Sequence, residues 1–125
     1  MELDQQKSLE EAIKELFHLF KVNLEREIGV EWNNANILEN EHILVTVNGL
    51  PLEVDFRQKP IVMITYDIAP NKENYNRVDV EYVDGKWKAR DYSELRIHDG
   101  FKEYEVKKVI KDYLFYVKKI VAANK

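Results

Sequence analysis

The tripeptide Asp84-Gly85-Lys86 has the Asp-x-Lys spacing that closes some metal-dependent nuclease sites. Such a site would gather carboxylates on a Mg²⁺ ion and set the lysine beside the attacking water. Asp55, Asp67, Asp79 and Glu81 supply acidic side chains on or beside the same run of strands. A second role accounts for these residues more simply. Asp-Gly is a strong signal for a two-residue hairpin, because a type I′ turn needs positive φ at both central positions. That turn puts Asp84 and Lys86 at an exposed tip. Asp79 and Glu81 then face Lys88 and Arg90 as ordinary cross-strand charge pairs. So short a pattern arises readily by chance, and the turn is the expected role.

Other chemistries find little material. The chain has no cysteine, hence no disulfide, zinc–thiolate site or thiol nucleophile. Its two serines, Ser8 and Ser93, sit where a helix begins and where a strand ends, positions typical of caps and turns. Neither lies in a Gly-x-Ser-x-Gly elbow. Gly29, Gly49, Gly85 and Gly100 are too scattered to cradle a phosphate. His18, His42 and His98 lack metal-ligand spacing, and zinc needs three or four converging ligands. No catalytic residue, metal or cofactor is expected, and the chain reads as a non-enzyme.

One surface does stand out. Residues 109–120, VIKDYLFYVKKI, belong to a helical stretch in which Phe115 falls among lysines. Taking Lys107 as origin, Lys118, Lys111, Tyr104, Phe115, Lys108 and Lys119 follow within an arc of about 120° at about 100° per residue. Val106, Ile110, Tyr113, Val117 and Ile120 form the opposite, buried stripe. Phe115 therefore lies in the middle of a basic face. Either the connection at 31–41 covers it, or it belongs to a recognition stripe of lysines and aromatics.

The elements that must carry this face can be read along the chain. Apolar residues at 9, 13, 16, 17, 20 and 24 mark an amphipathic helix over 7–28, with Gly29 as its stop. The asparagine-rich stretch 31–41 reads as a connection from which Trp32, Ile37 and Leu38 tuck under the core. Strands are expected at 43–48, 52–57, 61–68, 77–83 and 86–92, with a loop at 70–76. Residues 61–68 are apolar at consecutive positions, which predicts a central strand covered on both faces. Residues 93–99 fit either a short strand or a turn, and a last helix spans 101–122, starting at Asp99 or Gly100. The expected architecture is a single α+β domain over 1–125, in two layers. Its sheet is mainly antiparallel and five-stranded, flanked by N-terminal and C-terminal helices in the order α-β-β-β-β-β-α.

Charge sharpens the functional reading. Residues 1–31 hold eight acidic and four basic side chains, and 32–101 hold twelve and eight. Residues 102–125 reverse the balance, with seven lysines against three acids. The overall charge of −4 and the confinement of basic residues to one helix disfavour broad, non-specific nucleic-acid binding. No apolar run reaches the length of a membrane span, and the acidic start lacks the character of a signal peptide, so a cytoplasmic protein is expected. The first reading is a small protein-interaction module: a regulator, inhibitor or adaptor of the kind carried on mobile elements. It would bind a partner protein, or a second copy as a homodimer, through Tyr104, Lys107, Lys108, Lys111, Phe115, Lys118 and Lys119. The alternative is nucleic-acid binding by the same face, with lysines on phosphates and rings on bases. A nuclease ranks below both, and an acidic DNA mimic using the carboxylates at 2–31 ranks low as well.

Overall fold

The structure is a computed structural model that describes residues 7–70 and 74–123. Glu2 and Asp4 of the acidic N-terminus and residues 71–73 of the expected loop lie outside the described residues.

Helix α1 (Leu9–Ile28) begins where its sequence provides a cap. The Ser8 hydroxyl accepts the Glu11 N–H at 3.2 Å, and Glu10 and Glu11 occupy the first turn, where the helix dipole favours acids. At its other end Gly29 takes φ +66, and its N–H donates to the Glu25 carbonyl. A short 3-10 turn, Gly29–Asn34, leads into the sheet.

Seven strands follow in a simple meander: β1 (Asn36–Leu38), β2 (His42–Val47), β3 (Leu50–Gln58), β4 (Ile61–Asp67), β5 (Tyr75–Val83), β6 (Lys86–Asp91) and β7 (Arg96–Asp99). Each pairs antiparallel with the next, in the order β1-β2-β3-β4-β5-β6-β7. Helix α2 (Glu103–Ala123) completes the chain. The α+β class with flanking helices holds, while the expected count of five strands is corrected to seven. The two additional strands are the edges, three and four residues long. Neither has enough residues to show alternation, and each is held by pairing with its one neighbour.

The turns follow residue type. Asn48 and Gly49 link β2 to β3 with φ of 52° and 83°, and Asp84 and Gly85 link β5 to β6 with φ of 51° and 77°. Both pairs have the positive φ that a type I′ hairpin requires. Gly85→Val should therefore lower stability by about 1–3 kcal/mol, since a β-branched residue is strained at that φ. Asp84→Asn should be nearly neutral, because asparagine tolerates positive φ. Thermal melts that tolerate both changes equally would remove this account of the hairpin.

Both helices lie on one face of the sheet. Ile43, Val45, Leu52, Val54, Ile64 and Val80 point toward Leu16, Phe20 and Leu24 of α1 and Ile110 and Tyr113 of α2, all buried in one cluster. Phe17 meets Phe56 edge-on at 5.5 Å between ring centroids, and Phe20 stacks on Phe101 at 6.3 Å. Tyr82 and Trp87 face each other across β5 and β6, as the alternation predicts.

The other face is open, which corrects the expectation that 61–68 is covered on both sides. β4 is the central strand, but Ile61, Met63 and Thr65 are only half-buried. Met63 lies between Asp55 and Asp79 on the neighbouring strands, and the Arg77 guanidinium reaches its sulfur. Charged neighbours shield this apolar side chain, where a second layer was expected. Leu38 is a similar correction: Ile37 packs on the core, but its strand neighbour Leu38 points the other way and is 53% exposed. The start of α2 also differs. Asp99 ends β7, Gly100 turns at φ +91, and Phe101 is buried, so the helix begins only at Glu103. The Glu105 carboxylate accepts the Lys102 N–H at 3.3 Å at this end.

Candidate functional site

Chemistry on the open sheet face is consumed internally. Arg57 donates to both carboxylate oxygens of Asp55, at 2.9 and 3.1 Å, and holds its carboxyl below the usual range. Arg77 pairs with Asp79 at 2.9 Å and stacks over Tyr92, and His42 pairs with Glu53. Asp79 also lies opposite Arg90, and Glu81 opposite Lys88, as expected of a wet face. Asp84, Gly85 and Lys86 form the exposed hairpin tip. Ser8 caps α1, and Ser93 closes a turn on Asp91, donating to Oδ1 at 2.7 Å. Among the described residues, no group of three or more histidine and acidic side chains is placed to hold a metal ion.

Helix α2 is different. Lys107, Lys108, Lys111, Lys118 and Lys119 are all exposed, and among the described residues only Lys108 meets a carboxylate, Glu94 at 3.8 Å. Asp112, the acid closest to these lysines along the helix, turns inward. Its Oδ2 accepts the Tyr66 hydroxyl and the Asn76 amide, the latter at 3.2 Å. Burial and this carboxylate push the Tyr66 phenol well above its ordinary pKa. The acid is thus used as a brace between helix and sheet rather than as a partner of the lysines.

The aromatics stand among these lysines. Tyr104 is 75% exposed and Phe115 is 58% exposed, the latter with its ring edge-on to Tyr116 at 5.2 Å. No residue of 31–41 lines the grooves beside Phe115, and the connection does not cover it. Phe115 and Lys111 form a ridge between two grooves. One, of about 470 Å³, lies between α2 and the ends of β5–β7; Tyr104 and Lys108 line it with Arg96 and His98. The other, of about 650 Å³, lies along the seam of α1 and α2, where Lys107 and Lys118 face Arg26. Lys119 lines neither groove. The helical wheel sets Lys107 and Lys118 to one side of Phe115 and Lys108 to the other, but nothing in the sequence places Arg26, Asn23 or Arg96 beside them. Those neighbours come from contacts distant in the chain, which local periodicity does not carry.

No helix of the described residues is long and apolar enough to cross a membrane. Compared with protein-family models, curated proteins and solved structures, the chain matches none. What the arrangement offers chemically is cation-lined, partly apolar binding surface: charge for anionic groups and exposed rings for an apolar anchor.

Proposed function

We propose that this protein is a small, non-enzymatic interaction module, a regulator, inhibitor or adaptor, that binds an acidic partner protein through α2. The observation that carries this reading is the set of exposed rings Phe115 and Tyr104 among exposed lysines of which, among the described residues, only Lys108 meets a carboxylate, whereas Asp55 and Asp79 on the opposite sheet face are paired with arginines. Exposed aromatics ringed by polar groups are the residues that dominate binding energy at interfaces. A second copy docked α2 to α2 would set the lysines against each other, so a homodimer would have to lay this face on the acidic first helix. A separate acidic partner is the first reading, with the homodimer as its alternative. A cytoplasmic setting suits a chain without cysteine.

Nucleic-acid binding is the second reading, because lysines interleaved with rings also suit phosphates and bases. Asp91, Glu94 and Glu105 on the β7-side groove disfavour phosphate there, which supports the protein reading over this one. Affinity capture from the source cell tests the order. Wild type should retain proteins that the double variant Lys111→Glu, Lys118→Glu loses, with unchanged melting temperature and a flatter salt dependence. Capture that disappears on nuclease treatment, with oligonucleotide recovered, would reverse the two readings.

A further inference from the structure

The groove along the α1–α2 seam is chemically lopsided. Arg26, Lys107, Lys111 and Lys118 border it against a single acid, Glu27, whose carboxylate makes a long, exposed contact with Arg26 at 3.8 Å. Its apolar lining comes from Ile110, Leu114 and Phe115. Arg26 is fixed by a buried side chain: Asn23, 1% exposed, donates to the Leu19 carbonyl at 2.7 Å and accepts the Arg26 guanidinium on its Oδ1. The same amide reaches Glu103 of α2 at 3.4 Å, tying the two helices together at this point. A buried, fully partnered amide that aims a cation at an apolar seam is a preorganised feature.

We infer that this seam is the docking site of an acidic amphipathic helix from the partner. Lys107, Lys111 and Lys118 run along about three turns of α2, or roughly 16 Å, the span of a short docked helix. Two packed helices present ridges and a groove that receive a third helix. An extended segment would find no free strand edge in the seam and would leave its main-chain groups unpaired. An acidic helix satisfies its own backbone, sets its apolar stripe on Leu114 and Phe115, and meets the four cations with its acids. The inference rests on the interaction reading above and extends it onto α1.

The probe is a fluorescein-labelled 18-residue peptide with leucines at three- and four-residue spacing and glutamates between them. A control of the same composition has its order scrambled so that the leucines fall on all sides of a helix. Fluorescence anisotropy at low salt should give saturable binding of the first, with the control weaker by about tenfold or more. Arg26→Glu should weaken binding by about tenfold, whereas Lys86→Glu, a charge reversal at the exposed β5–β6 hairpin tip, should change it by less than about twofold. Lys107→Glu on the facing wall serves the same purpose if the α1 variant does not fold. Absence of binding, equal binding of both peptides, or equal losses in the groove variant and Lys86→Glu overturns the inference. Tighter binding of a single-stranded oligonucleotide or of phosphatidylserine vesicles overturns it too. Cellular capture that depends on Lys111 and Lys118 but is indifferent to Arg26 overturns the seam alone and leaves the interaction reading standing.

Discussion

Tyr113→Ala should lower stability by about 3–5 kcal/mol, the range for removing a large aromatic from a close-packed core. Tyr113 is fully buried, and its ring meets Tyr66 edge-on at 6.3 Å. Its hydroxyl does further work at the mouth of the β2–β3 hairpin, donating to the Leu50 carbonyl at 2.8 Å and accepting the Val47 N–H at 3.2 Å. This side chain thus pins α2 to the sheet by packing and by hydrogen bonding at once. Tyr113→Phe separates the two contributions: it keeps the ring, strips one partner from each backbone group, and should cost about 1–3 kcal/mol. Burial pushes the Tyr113 phenol up to about 12 from an ordinary 10.0, so the folded chain holds this proton more tightly than the unfolded one. Its contribution is therefore complete below pH 10.0 and is lost as pH rises toward 12. Tyr66 shifts in the same direction, and the Tyr113→Phe variant should keep only its share of that alkaline loss. Chemical denaturation of the variants checks the series, with exposed Tyr104→Ala as the control expected within about 0.5 kcal/mol. A Tyr113→Ala protein as stable as that control would mean that α2 is not seated on the hairpin as described.

The parts of this fold legible in the sequence are those set by neighbours in the chain. Leu52, Val54 and Phe56 alternate with Glu53, Asp55 and Arg57, and they bury the face that alternation assigns them until a bulge before Gln58 shifts the register. Asp84 and Gly85 make their turn because of their own φ preferences. The α2 wheel gives the basic face and the buried stripe correctly because 3.6-residue periodicity is local. Features set by distant partners were not legible. Asn36, Ile37 and Leu38 become a strand only because β2 lies beside them. The double-sided apolar pattern of β4 reflects charged neighbours that shield Met63, rather than a second layer. Arg26 looks like an ordinary solvated residue in sequence, and acquires its place only where α1 meets α2. The carboxylates that first suggest nuclease chemistry belong with the local features instead: Asp55 and Asp79 are paired by Arg57 and Arg77, two residues away on the same strand face.

Phe115→Ala should behave in the opposite way to Tyr113→Ala, two residues apart on one helix. Phe115 is 58% exposed, so its truncation removes little buried apolar area and should change stability by no more than about 1 kcal/mol. Had the 31–41 connection covered it, the same change would cost about 3–5 kcal/mol. Binding should respond strongly, because an aromatic at the centre of an interface commonly contributes about 2 kcal/mol or more when truncated, roughly a thirtyfold loss of affinity. Its position on the ridge between the two grooves makes the substitution informative about both: a partner in either one would touch this ring. Phe115→Leu retains an apolar anchor and should recover part of the loss, while Lys86→Ala at the β5–β6 hairpin tip should leave affinity nearly unchanged. Melting curves and isothermal titration against the captured partner measure the two quantities on the same preparations. A large loss of stability with unchanged affinity would make Phe115 a core residue and remove α2 as the interface. A stable variant with lost affinity places the anchor of recognition on this one ring.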